Sequence, residues 1–76
     1  MDQQAEEIID GIREVSDSIV QVAAYLERNM RALMLADKAP NAGGWRHLDQ
    51  KVQVIESQAQ QLRDLIEQGK ECRIND

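Results

Sequence analysis

The stretch best equipped for chemistry is Gly43-Gly44-Trp45-Arg46-His47. A glycine pair opening a helix leaves backbone N–H groups free for an anion. Arg46 adds positive charge, and Trp45 offers a ring on which a base can stack. Together Gly43, Gly44, Trp45, Arg46 and His47 form a candidate anion or partner corner for a phosphorylated small molecule or nucleotide. The stretch lacks the lysine and the serine or threonine that follow the glycines of a phosphate loop. The competing expectation places Trp45 as packing at a bundle end, the usual fate of a large aromatic that starts an apolar row.

A second candidate is a row of carboxylates. Asp2, Glu6, Asp10, Glu14 and Asp17 step by three or four and share one face of a helix. Like charges at that spacing repel mildly, so the row carries a small cost that a basic partner would offset. The simpler expectation is a solvated face near a helix start, where acids complement the helix dipole.

Other chemistries lack their parts. One histidine, His47, and one cysteine, Cys72, are too few soft ligands for a zinc site, and no metal or cofactor is expected. No nucleophile, base and acid can be grouped by two helices, which also offer little concave volume. The residues therefore argue against an enzyme. The single cysteine excludes an internal disulfide framework and favours a reducing, cytoplasmic compartment.

Composition narrows the class further. The chain has 76 residues, with 42% hydrophobic, 30% charged and 3% aromatic residues, a small single-domain make-up. No apolar run approaches the ~18 residues that suggest a membrane span. Met1–Glu7 is acidic and polar, unlike the basic start of a secretory signal. The net charge of −5 is uneven. Residues 1–27 carry seven acids against Arg13, whereas residues 28–76 carry eight bases against seven acids. This acidity argues against direct nucleic-acid binding, which requires a broad basic face.

The elements that must position these residues are two helices. Ala5, Ile8, Ile12, Val15, Ile19, Val22, Leu26, Leu33 and Ala36 alternate steps of three and four, with Asn29 in the remaining slot. That is a heptad seam. Asn29 there either fixes register as a buried amide or lies where the seam turns outward. Ile9, Ala23 and Met30 add a neighbouring stripe, wider than a two-stranded seam needs and typical of a bundle helix. The spacing predicts helix 1 over about 3–37. Pro40 and Gly43-Gly44 break the chain over 38–44.

Trp45, Leu48, Val52, Ile55, Ala59, Leu62 and Ile66 form a second seam, predicting helix 2 over about 45–69. Gln50, Gln53, Gln58, Gln60 and Gln61 are read as its outer face, Val54 and Leu65 as off the seam, and 70–76 as a mobile tail. The expected fold is all-α: an antiparallel two-helix hairpin with coiled-coil-like packing. A chain this short rarely builds a sufficient core alone, so dimerisation into a four-helix bundle is expected. Its oligomer core would be Ile8, Ile12, Val15, Ile19, Val22, Leu26, Leu33, Leu48, Val52, Ile55, Leu62 and Ile66.

These features imply a non-enzymatic protein-interaction module, a small acidic homodimer that inhibits or adapts another protein carrying a basic patch. Accessory proteins of phages and mobile elements share this size and acidity. By that analogy the most specific version blocks a host nucleic-acid enzyme or defence complex. The alternatives are an oligomer binding a phosphorylated ligand at the Gly43–His47 corner, and a structural or co-chaperone hairpin of a larger assembly.

Overall fold

Capping residues decide where the two helices begin and end. In the computed structural model, which describes residues 2–71, helix α1 spans Gln3–Leu35 and helix α2 spans Ala42–Glu71. Cys72 and the rest of the tail lie outside the described residues.

Asp2 caps α1: its carboxylate accepts from the Ala5 N–H at 2.8 Å, and its carbonyl accepts from the Glu6 N–H at 3.1 Å. A short acidic side chain suits this place because the first helical N–H groups lack intrahelical partners. The acids near the start of α1 match the helix dipole, but its last turn carries no base, so dipole matching accounts for only one end.

Helix α1 stops two residues before the boundary expected from periodicity. The Lys38 N–H donates to the Leu33 carbonyl at 3.0 Å and the Asp37 N–H to the Met34 carbonyl at 3.1 Å. Those two bonds form a Schellman cap, which requires left-handed backbone at the fifth of its six residues. Asp37 supplies it, with φ 54°.

Helix α2 begins three residues earlier than expected because Asn41 caps it. The Asn41 side-chain oxygen accepts from the Gly44 N–H at 2.8 Å, and its carbonyl accepts from the Trp45 N–H at 2.9 Å. Pro40 sits just outside the cap, where its missing N–H is harmless. Gly43 and Gly44 thus lie inside the first turn and not in the break. At the far end α2 continues through Lys70 and Glu71, two residues beyond the end that periodicity predicts.

The two helices pack antiparallel into a rod of 57 × 18 × 15 Å. Gly11 meets Leu65, Ser18 meets Gln58, and Tyr25 meets Lys51. The numbers of each pair add to 76, so the register is uniform along the seam. Gly69 lies against Ile8, one step further round each helix.

On α2 the residues turned toward α1 are Gly44, Leu48, Lys51, Ile55, Gln58, Leu62, Leu65 and Gly69, all half-buried. This corrects the expected seam. Leu48, Ile55 and Leu62 belong to it, but Trp45, Val52, Ala59 and Ile66 stand outside on an exposed row. Gln58 and Leu65, read as outward or off-seam, point inward. Small residues explain the rotation. A Cβ on Gly11 would come within 3.3 Å of Leu65, so the missing side chain makes room for that leucine. Ile8 is the only buried residue among those described.

Asp37 holds a backbone conformation that costs a non-glycine residue about 1 kcal/mol or more. Asp37→Gly is therefore expected to raise stability by about 1 kcal/mol, read as a higher midpoint in urea unfolding.

Candidate functional site

Three surfaces carry the candidate residues, and the hairpin separates them. The first is the acidic row. Asp2, Glu6, Asp10, Glu14 and Asp17 are all exposed along α1. Asp2 is partly committed to its cap. Arg13 joins Asp10, Glu14 and Asp17 around a shallow dimple, which places one positive charge within the row.

The second is the turn corner. The Gly44 N–H is already engaged by the Asn41 side chain, so the first turn of α2 does not offer it to an anion. Arg46 and Trp45 are exposed, with Trp45 at 57%. His47 faces a different way from Trp45. Its Nε2 lies 2.9 Å from the Tyr25 hydroxyl, the two rings meeting edge to face at 5.9 Å. Lys51 stands over the same tyrosine ring, with Nζ 5.0 Å from its centre. A cation over a tyrosine face contributes about 0.5–1 kcal/mol at exposed sites. Tyr25, His47 and Lys51 thus clamp the two helices together near the turn. Beside them an open groove of about 470 Å³ is lined by Asn29, Met30, Leu33, Pro40, Gly44 and Leu48 among others.

The third surface is apolar. On α1 the row Ile12, Ile19, Leu26 and Leu33 lies next to the row Ile8, Val15, Val22 and Asn29, and beyond it come Ile9, Ser16, Ala23 and Met30. On α2 the exposed row Trp45, Val52, Ala59 and Ile66 lies next to Leu48, Ile55, Leu62 and Gly69. The contacts Ile8–Gly69 and Gly11–Leu65 fix which rows face each other. Stepping from Gly11 past Ile8 to Ile12 on α1 leads to the same side as stepping from Leu65 past Gly69 to Ile66 on α2. The two apolar stripes therefore merge into one face of the hairpin. Val52 is 43% exposed and Ile66 47% exposed on that face. The acidic row lies on the other side of α1.

The twelve residues expected as oligomer core divide accordingly. Ile8, Val15, Val22, Leu48, Ile55 and Leu62 border the contact within the hairpin. Ile12, Ile19, Leu26, Leu33, Val52 and Ile66 line the apolar face.

Sequence reasoning missed the polar layer at mid-seam. The Gln58 side-chain amide donates to the Ser18 hydroxyl, while the Gln58 carbonyl oxygen is buried with no hydrogen-bond partner among the described residues. The signal was present: Lys51, Gln58 and Leu65 recur every seven residues, opposite Tyr25, Ser18 and Gly11 in that order. Their mixed chemistry hid them from a search for apolar periodicity.

Among the described residues no group of three or more histidine, cysteine, aspartate or glutamate side chains could hold a metal ion. No described helix is long and apolar enough to cross a membrane. Comparison with protein-family models, with curated proteins and with solved structures finds no match for this chain.

An unsatisfied buried oxygen costs about 1–3 kcal/mol. Replacing the polar layer by Ser18→Ala with Gln58→Leu is expected to raise stability by about 1 kcal/mol, measured by urea unfolding of the double variant.

Proposed function

We propose that this chain is a non-enzymatic protein-interaction module. In this reading it dimerises through its apolar face into a four-helix bundle and presents its polar surfaces to another protein. The supporting observation is that a continuous apolar face covers one side of both helices while only Ile8 is buried among the described residues. Surface area supports the same reading. The chain exposes 6163 Å², against roughly 4,700 Å² for a compact monomer of this mass. The excess of about 1,500 Å² is more than the ~800 Å² that each partner contributes to an interface of standard size.

Once the apolar face is covered, the acidic row remains outward. It is suited to a protein with a basic patch, because complementary charge steers encounter and fixes orientation. An inhibitor or adaptor acting on a nucleic-acid enzyme or defence complex is the specific form of this reading, and it rests on analogy in size and acidity.

The groove beside the turn favours a second reading, in which a small phosphorylated ligand binds near Gly43–His47. Lys38 lines that groove and supplies a cation there. Amide NMR shifts on adding nucleotides separate the two: a saturable shift at Gly44, His47 and Leu48 favours the ligand, and a flat response favours the interaction module.

The dimer has a clean test. Val52 is partly exposed in the single hairpin, so Val52→Glu places charge on the apolar face and spares the contact with α1. Sedimentation equilibrium is expected to give a dimer for the unmodified chain and a mass shifted to monomer for the variant. A monomer at all concentrations in the unmodified chain contradicts the reading.

A further inference from the structure

Resting on the dimer reading above, we propose that the second copy covering the apolar face lies with its turn at the opposite end of the bundle. In this arrangement α2 packs against α2 of the second copy, and α1 against its α1. The arrangement is selected by a row of four charges on α2.

That row borders the apolar face. Asp49, Glu56, Arg63 and Lys70 recur every seven residues just beyond Trp45, Val52, Ala59 and Ile66, and all four are exposed. The two acids lie toward the turn and the two bases toward the far end. Such a row complements its own reverse. Set antiparallel, Asp49 faces Lys70 of the second copy and Glu56 faces its Arg63, and twofold symmetry repeats each pair. The centre of this register falls at Ala59, the smallest residue of the exposed row, which leaves room there for two helices to approach. The row is free to pair. Asp49 only accepts a 3.3 Å hydrogen bond from Gln53, and the Lys70–Glu67 ion pair is exposed on both sides. Pairs of that kind contribute little and rearrange readily.

The alternative closed dimer puts both turns at one end and lays α1 over α2 of the second copy. The outer row of α1 is Glu6, Arg13, Val20 and Glu27. With the hairpin register carried across, Arg13 would face Arg63 and Glu27 would face Asp49, leaving only Glu6 against Lys70 as an attraction. In the proposed arrangement the one like-charge encounter on α1 is Glu6 with Glu27, and Glu27 is already paired with Arg31. Like charges across an interface suppress the wrong arrangement more effectively than rim pairs strengthen the right one.

The test places a nitroxide at Arg46→Cys, an exposed site, in a Cys72→Ser background of the full chain. Arg46 lies about 20 Å along the helix from the pairing centre at ~1.5 Å per residue, so opposed turns place two labels about 40 Å apart. Turns at one end place them about 20–25 Å apart, the width of a four-helix bundle. Pulsed dipolar spectroscopy reads the distance, and sedimentation reads the mass. The expected result is about 40 Å, with dimerisation weakened about three- to tenfold by Glu56→Arg and restored by adding Arg63→Glu. A distance of about 20–25 Å overturns this proposal and leaves the dimer standing. A long distance with an indifferent Glu56→Arg overturns the charge row as selector. A monomeric mass with no dipolar coupling overturns the dimer reading itself.

Discussion

The contact of Gly11 with Leu65 is the constraint on which the rest of the hairpin depends. A residue without a side chain lets a leucine of the opposite helix lie close to the α1 backbone. That close approach, with Ser18 against Gln58 and Tyr25 against Lys51, sets how α2 is rotated about its own axis. A different rotation would have turned Val52 and Ile66 inward and left Leu65 and Gln58 outside. The hairpin instead uses small and polar residues for part of its internal contact. Much of its large apolar surface stays on one side. Hydrophobic surface left in water weakens a small domain whose burial is already limited.

This division explains which parts of the fold were legible in sequence. The two helices, the break at Pro40 and the all-α class follow from periodicity and from proline's missing N–H. The helix ends did not, because they rest on capping geometry. Asn41 ahead of Ala-Gly-Gly is a cap signal that apolar periodicity does not carry, and Asp37 occupies a place where glycine is the usual marker. The seam of α2 was half legible. Apolar periodicity gives the mean direction of a helix's hydrophobic face, and that direction combines every surface the helix will bury. It therefore lay between the contact with α1 and the exposed row, and neither was resolved separately.

The candidate surfaces follow the same pattern. Exposure of the acidic row was expected from charge spacing, and its separation from the apolar face comes from the register of the hairpin. The turn corner was read from residue types alone. The structure splits it, turning His47 toward Tyr25, giving the Gly44 N–H to Asn41, and leaving Trp45 and Arg46 outward. No periodic signal could have separated neighbours in one helical turn, since their environments depend on where the other helix lies.

In the proposed dimer, folding of this hairpin is coupled to covering its apolar face with a second copy. A ligand or subunit that binds only the folded state raises the unfolding midpoint by mass action. The most direct measurement is thermal unfolding of the unmodified chain, followed by far-ultraviolet circular dichroism across a wide range of protein concentration. The expected midpoint rises steadily with concentration. A midpoint independent of concentration would contradict it, because the hairpin would then be stable with its apolar face open to water.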